Sequence, residues 1–388
     1  MIETDVCIVG SGPSGAAASL MLSKLGINHI IIDKAVFPRD KTCGDGLILH
    51  VFKALKAIDI NLLEEFVKHP KFISTYMGNF HVSDRALIKI EEGKEDRHYP
   101  IFYGKRIDFD YFLVKKMNSP YVQTKFGVPI QTVKYLENKV QLDLKNGSVI
   151  RSKLVIGADG IHSVVSRQLA KNKPNPKRTS TFVSAYFENI TELPPKNGAE
   201  IRMVYKKMAL FFYIFPLPNG QVNVSLGGST NELLKNNINL RHEIDSIIQS
   251  HPKVAYKFKN AKQVGNWRGW GIPYQYGQLT ISGDRFMLTG DAAGLANSFY
   301  KEGVGTGMMS GVLSAQQAAR CIQADDFSAK FIKEYNKNIE KEFGKLLKFS
   351  RIALRLSKYP KPFEFFIKIT KSNLEELIKK IIRKRTYN

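Results

Sequence analysis

Asp5-Val6-Cys7-Ile8-Val9-Gly10-Ser11-Gly12-Pro13-Ser14-Gly15 is the stretch that decides how this chain folds. Val6 to Val9 is a short apolar run, partly β-branched, of the kind that forms a buried parallel strand. It runs directly into Gly-x-Gly-x-x-Gly, and the segment from Ala16 to Leu25 behind it is rich in helix formers. In that strand–turn–helix setting each glycine has a task. Gly10 permits the tight turn, Gly12 lets backbone approach a pyrophosphate, and Gly15 lets helix and strand pack closely. The helix start, with Ser11, Pro13 and Ser14 leading into it, offers free N–H groups and the positive dipole end to phosphate. After Gly26 a second strand, His29 to Ile32, ends at Asp33, where a carboxylate can accept hydrogen bonds from ribose hydroxyls; Lys34 follows it. A lone glycine-rich turn has a structural explanation, but strand, glycines, helix, strand and terminal acid in one register predict dinucleotide binding.

The local fingerprint separates NAD from FAD poorly. Two later segments repeat its logic. Leu154-Val155-Ile156-Gly157-Ala158-Asp159-Gly160-Ile161-His162-Ser163 is an apolar strand ending in a Gly/Asp turn. Phe286-Met287-Leu288-Thr289-Gly290-Asp291-Ala292-Ala293-Gly294 is another, and it leads to Glu302-Gly303-Val304-Gly305-Thr306-Gly307 and a small-residue helix from Met308. Each presents small residues just past a strand end, the edge of an open parallel sheet where ligands bind. A carboxylate such as Asp291 can hold a sugar or ribityl hydroxyl, and the glycine-rich helix start can face the ring system of a flavin.

This combination resembles the large flavoprotein superfamily of aromatic hydroxylases, halogenases and geranylgeranyl reductases, in which three such turns hold one FAD. Phe37-Pro38-Arg39-Asp40-Lys41-Thr42-Cys43-Gly44-Asp45-Gly46-Leu47 is similar to a loop of the geranylgeranyl reductase branch. Arg106-Ile107-Asp108-Phe109-Asp110 resembles a family segment whose arginine contacts the cofactor. The resemblance implies FAD contacts at Arg106, Arg39, Cys43, Gly44 and Val128, beside Ala158, Asp159, Gly160, Ser163, Gly290, Asp291, Gly303, Val304, Gly305 and Thr306. Phe211-Phe212-Tyr213-Ile214-Phe215-Pro216 is similar to an isoprenoid-contacting motif, with Tyr213 where the family usually has Trp. Strand periodicity puts Phe211, Tyr213 and Phe215 on one face, where core packing is the competing explanation. Trp270 joins them as a candidate substrate contact. Two departures stand out. Ser298-Phe299-Tyr300-Lys301-Glu302-Gly303 lacks the usual proline and first glycine, and Arg268 stands where a halogenase motif has its first Trp.

The fold class expected is α/β, a Rossmann-like FAD-binding unit with an antiparallel substrate sheet and a helical C-terminal part. The cofactor unit is assigned to 1–75, 100–178 and 276–325, the substrate domain to 76–99 and 179–275, and a basic helical region to 326–388. Runs at Thr181 to Phe187, Glu200 to Lys206, Leu210 to Phe215 and Gln221 to Leu226, separated by Pro/Gly/Asn turns, predict an antiparallel meander. The helical C-terminal stretch breaks near Tyr359-Pro360-Lys361-Pro362.

Composition bounds the rest. The chain has 388 residues, 43% hydrophobic and 24% charged, the range of ordinary globular proteins. No run of about 18 apolar residues predicts a spanning helix, and the start lacks the basic region and cleavage site of a signal peptide. Cys7, Cys43 and Cys321 are too few and too scattered for a disulfide framework or a metal site, so a reducing cytoplasm is expected. The formal charge is +23, and residues 330–388 carry 17 basic against 6 acidic side chains. A solvated helical face explains such a run as well as attraction to an anionic membrane or substrate does. No nucleic-acid-binding signature accompanies the charge.

Three functions compete on these residues. The first is reduction of C=C bonds in a prenyl lipid, which needs a dry site, an electron donor such as NAD(P)H or a reduced carrier protein, and a proton source. Cys43 is the first candidate for that source, with Asp45 and Tyr213 behind it. The second is oxygenation of an aromatic or polyketide-like substrate on the same scaffold. The third is a flavoprotein without catalysis that binds a partner.

Overall fold

The computed structural model describes all residues except 76, 84–85, 92–100, 174, 366 and 370–388, and gives only the backbone of 86, 90 and 91. In chain order the first elements are β1 (Ile2–Val9), α1 (Pro13–Lys24), β2 (His29–Asp33), β3 (Gly46–Ile48), α2 (His50–Ile58) and α3 (Ile60–Lys68). Then come β4 (Ile73–Thr75), β5 (Met77–Ser83), β6 (Ala86–Glu91), β7 (Ile101–Tyr103), α4 (Arg106–Lys115), β8 (Val122–Phe126), β9 (Ile130–Tyr135) and β10 (Val140–Leu144). They are followed by β11 (Val149–Gly157), α5 (Val164–Gln168), β12 (Thr179–Glu188), β13 (Ala199–Tyr205), β14 (Ala209–Pro216) and β15 (Val222–Ser229). The last are α6 (Thr230–Lys235), α7 (Leu240–Ser250), β16 (Lys262–Pro273), β17 (Ser282–Gly283), β18 (Phe286–Leu288), α8 (Val304–Ala324) and α9 (Ala329–Leu356).

An eight-stranded sheet runs β17-β18-β11-β1-β2-β8, with the β9–β10 hairpin attached to β11. Its centre is parallel: β1 pairs with both β11 and β2, β2 with β8, and β11 with β18. Val6 to Ile8 and Leu154 to Ile156 are completely buried, as the continuous apolar runs of a central parallel pair should be. On one face α1 packs against α8 at close range. A Cβ at Gly311 would collide with the Ser14 carbonyl, so glycine is what lets these two helices meet.

The second sheet has seven strands in the order β16-β12-β15-β14-β13-β5-β6. Only β13, β14 and β15 form a meander. β12 skips its sequence neighbour and lies between β15 and β16, so the continuous four-strand meander expected from the turn spacing is corrected to this crossed order. Short strands with similar turns specify hairpins; they do not say which hairpin an isolated strand joins. A small sheet, β3-β7-β4, joins the Cys43 loop to the rest. It leaves no sequence signal beyond three-residue apolar runs.

The seven-stranded sheet has two different faces. One carries Leu210, Phe212, Ile214, Val222, Val224 and Leu226 and is covered by α7 through Leu240, Ile244 and Ile247. The other carries Phe182, Phe211 and Tyr213 and meets Phe299, Phe363 and Ile367. After α9 the chain turns at 357–359 and is helical again from Pro360, a residue whose fixed φ suits a helix start. The part of the expected C-terminal helix beyond residue 369 lies outside the described residues.

Candidate functional site

The glycine loop is held open by its own backbone. Gly10 has φ +98°, and a Cβ there would run into the Ala158 carbonyl, while one at Gly15 would strike the Gly10 carbonyl. Gly12 differs: a Cβ there would have only an Arg39 guanidinium nitrogen nearby, at 3.6 Å. Two glycines thus close the turn and one faces free space. Asp33 organises the same loop, since Oδ2 accepts from Ser11 N–H at 2.7 Å and Oδ1 from Ala35 N–H at 2.9 Å. Its role is therefore split between fixing the turn and presenting the remaining lone pairs to a ligand. The Val128 N–H is spent on the Asp33 carbonyl at 3.1 Å, and Lys34 is exposed.

Two arginines converge beside Gly12. Arg106 donates from Nε and a terminal nitrogen to both oxygens of Asp110, at 2.7 and 2.8 Å, the bidentate geometry of a strong ion pair. Arg39 Nη1 lies 2.9 Å from Asp110 Oδ2, and the guanidinium stacks over the Phe37 ring. Burial opposes the charge on Arg106, and the Asp110 carboxylate more than offsets it. One carboxylate shared by two guanidiniums leaves a positive surplus, which suits a pyrophosphate.

The three turns are contiguous in space. Ala158 N–H bonds the Val9 carbonyl, Thr289 N–H bonds the Gly157 carbonyl, and the Ser14 hydroxyl donates to Thr289 Oγ1 at 2.7 Å. In the second turn Asp159 Oδ2 caps α5 through the N–H of Val164 at 2.6 Å and Ser163 Oγ accepts from Ser166 N–H, while Gly160 adopts φ +75°. In the third, Gly290 has φ +56° and its N–H donates to Ser310. Asp291 sits against Gly303 at the N-terminus of α8, where burial raises its carboxyl while Lys41 and Arg106 act the other way. Val304, Gly305 and Thr306 form the first turn of α8, with Thr306 fully buried. Glu302 accepts from Gly305 N–H at 2.6 Å and is pushed up to about 7 by burial.

The Cys43 loop joins this unit to the seven-stranded sheet. Asn223, on β15, donates to the Cys43 carbonyl at 2.8 Å and to Asp45 Oδ2 at 2.7 Å. Ser184 and Ser225 donate to Asn223 Oδ1, fixing which way the amide points. Asp45 itself has φ +63° and also accepts from Arg106 N–H, at 3.2 Å. It is completely buried, and that burial pushes its carboxyl up to about 7 despite the donors around it. The Cys43 thiol is free and raised by burial, so it is protonated at neutral pH. Burial likewise keeps the Tyr213 phenol protonated.

Above this loop the sheet presents an aromatic row. Phe215 packs on Gly44, where a Cβ would lie 3.5 Å from its ring, and stacks on Tyr213 with centroids 5.1 Å apart. Tyr213 stacks on Phe182 at 5.5 Å, and Phe182 lies 5.7 Å from Trp270. Gly227 on the intervening strand is what lets the Phe182 ring lie flat, since a Cβ there would strike it. Trp267, three residues before Trp270, packs on the opposite face against Phe187.

The residues fit a dinucleotide. Ser11 Oγ and Asp159 Oδ1 are buried without a hydrogen-bond partner, one in each of the first two turns, beside the Arg39 guanidinium that Asp110 holds by an ion pair. Buried polar atoms are normally satisfied, so orphans gathered around an open glycine ask for a ligand. Sequence reasoning missed Asp110, Asn223 and Phe182. Asp110 was within reach, because Arg106 and Asp110 are four residues apart on one helix. Asn223 and Phe182 carried no signal, since their roles exist only across strand pairs.

Comparison with known proteins agrees with this geometry. A family model described as an FAD binding domain matches residues 3–308. Digeranylgeranylglycerophospholipid reductase 2 of Methanopyrus kandleri is 28% identical over 369 residues, covering 92% of this chain and 86% of its own. A geranylgeranyl bacteriochlorophyll reductase-like structure from Thermoplasma acidophilum superposes with a TM-score of 0.82 at 22% identity, covering 96% and 92% of the two chains. A flavin-dependent brominase does so with a TM-score of 0.80 at 21% identity, covering 99% and 93%. Those two structures share the fold; their chemistries differ.

Proposed function

The chain belongs to the FAD-binding domain family, with FAD as its cofactor and FAD-dependent oxidation–reduction as its class of chemistry, and we propose that it reduces C=C bonds of an isoprenoid lipid. The observation that carries this reading is the Cys43–Asp45 loop, packed beneath the Trp270–Phe182–Tyr213–Phe215 row. Bound FAD supplies a hydride once reduced. Everything else falls to the chain. Gly10 to Gly15, Arg39, Arg106 and Asp291 would hold the cofactor, and the aromatic row would exclude water from an apolar substrate.

An isolated alkene accepts hydride only if a proton reaches the neighbouring carbon. The Cys43 thiol and the Asp45 carboxyl, raised by burial, both hold protons close to neutral pH. Electron-rich rings along the row would stabilise positive charge developing on carbon. The name of the Methanopyrus relative, a reductase of an isoprenoid phospholipid, favours the same substrate class. Electrons would come from NAD(P)H or a reduced carrier protein, since the chain has no second dinucleotide fingerprint.

The C-terminal helices support access from a membrane surface. Phe349, Ile352, Leu356, Tyr359, Phe365 and Ile369 are exposed, and the exposed Lys345, Lys348, Arg355 and Lys361 lie among them. Apolar side chains beside cations are the pattern of a surface that rests in an anionic interface. No helix among the described residues is long and apolar enough to cross a membrane.

The test is anaerobic. The protein is photoreduced, then mixed with a geranylgeranyl lipid, and flavin absorbance and lipid mass are followed. Reoxidation with a gain of two hydrogens per double bond is the expected result. No reoxidation by prenyl chains, with oxygen incorporated into an aromatic substrate under air, overturns the reading in favour of a monooxygenase.

A further inference from the structure

Lys301 occupies the loop between the third turn and α8, two residues before the helix cap Gly303. It has φ +60°, a left-handed conformation that glycine adopts at no cost and lysine does not. The residue is buried, with 8% of its area exposed. The ammonium lies 5.4 Å from the centre of the Phe211 ring and 5.1 Å from that of Tyr274, and donates to the Ser298 carbonyl. Among the described residues no carboxylate pairs with it. Glu302 next door is turned toward α8, and the phenol ring of Tyr274 faces the ammonium. A buried ammonium with three protons, one acceptor and no counter-ion is costly unless something supplies negative charge.

We infer that Lys301 binds an anionic oxygen of the substrate, so that the molecule entering along the aromatic row carries an acidic head group. The position fits. Phe211 belongs to the same sheet face as Tyr213 and Phe182, and Phe299, two residues before Lys301, packs edge-on to Phe211 with centroids 5.7 Å apart. The cation therefore marks the polar end of an otherwise apolar, buried cluster. Burial alone lowers the Lys301 ammonium to about 7, so the free protein holds it part neutral at physiological pH. An arriving anion favours the charged form and draws a proton in with it. This inference rests on the isoprenoid reading for the chain of the substrate and not for its acidic head.

The test uses the FAD-loaded full chain and four probes: farnesoic acid, farnesyl phosphate, farnesol and 1-naphthoic acid. Binding is read by perturbation of the flavin spectrum and by calorimetry in two buffers of different ionisation enthalpy. At pH 6.5 at least one farnesyl acid is expected to bind ten-fold or more tightly than farnesol, and the better of the two tells carboxylate from phosphate. Farnesoic acid at pH 8 is expected to bind with uptake of a fraction of a proton. Lys301→Met keeps an unbranched apolar stem one atom shorter and removes the ammonium; it should abolish both preference and uptake while leaving farnesol affinity within two-fold. FAD content and thermal midpoint of the variant separate this from misfolding. Equal affinity for acid and alcohol in the unaltered protein, or a preference that survives Lys301→Met, overturns the inference. A shifted flavin spectrum in ligand-free Lys301→Met at full FAD content also overturns it, because the ammonium then serves the cofactor. Lys301-dependent binding of 1-naphthoic acid without any farnesyl probe supports the anchor and removes the isoprenoid reading.

Discussion

Asn223 reaches from the seven-stranded sheet to Asp45 in the Cys43 loop, donating from Nδ2 to Oδ2 at 2.7 Å. This bond ties the seven-stranded sheet to the loop beside the cofactor unit, at the carboxyl that the proposed reduction would use as a proton source. Asp45 is buried with its carboxyl near 7, so both protonation states are accessible during turnover.

Replacement of Asp45 by Asn should therefore remove a pH dependence as well as activity. In the unaltered protein the reductive step is expected to slow as pH rises through about 7, because the proton is lost; in Asp45→Asn that limb should vanish with the rate lowered ten-fold or more. Stability follows the same sign. A carboxyl whose folded value is raised from 3.8 to about 7 binds more protons folded than unfolded between those values. Its stabilising contribution is present below about 4 and lost as pH rises through 7, an effect on the order of a few kcal/mol. Denaturant melts of both proteins at pH 5 and pH 8 measure it; an identical pH dependence in the two would refute the assignment.

Gly10→Ala and Gly12→Ala should fail in different ways. The first places a Cβ against the Ala158 carbonyl at a residue with φ +98° and is expected to cost about 2 kcal/mol or more. The second meets only an arginine tip and should leave the melting midpoint of FAD-free protein nearly unchanged, yet lower FAD affinity at least ten-fold. Thermal melts and fluorescence titration with FAD separate the two effects.

Asp110→Asn strips the counter-charge from two arginines, one of them buried. Breaking a buried pair this way costs roughly 3–5 kcal/mol. Because a pyrophosphate replaces part of the lost charge, saturating FAD should recover much of the thermal midpoint, more than it adds to the unaltered protein. Equal FAD-induced shifts in both proteins would count against a phosphate role for the pair.

If the proposed interfacial surface of the C-terminal helices is used, Phe349, Ile352, Phe365 and Ile369 changed together to Ser should cut co-sedimentation with phosphatidylserine vesicles at least ten-fold. Raising salt should weaken the unaltered protein in the same assay. Point changes are preferable to deleting residues 360–388, since Phe363 and Ile367 belong to the core around Phe299.

The first forty-five residues were legible because their signals are local. An apolar run, glycines at fixed offsets and a terminal acid each act on neighbours within a few residues, and the parallel sheet around β1 follows from them. Asp33 shows the limit of such reading. Its place at the end of β2 was evident, but the two backbone N–H groups that engage its oxygens come from the glycine turn and from Ala35. Arg106 was found through a motif, whereas its tie to Asp110 and the approach of Arg39 appear only once α4 lies beside the Gly12 loop.

By itself the sequence determined the dinucleotide unit, its three glycine-rich bends, four of the seven strands of the second sheet (β12 to β15) and the alternation that puts Phe211, Tyr213 and Phe215 on one face. Tertiary structure alone decided that β12 leaves its neighbour to lie between β15 and β16, which brings Phe182 into stacking distance of Tyr213. It also decided that Asn223 meets Asp45 and that the Lys301 ammonium lies beside the rings of Phe211 and Tyr274. The physical reason is range: backbone conformation and periodicity are set by residues a few positions apart, while charge burial and ring stacking depend on partners that only packing brings together.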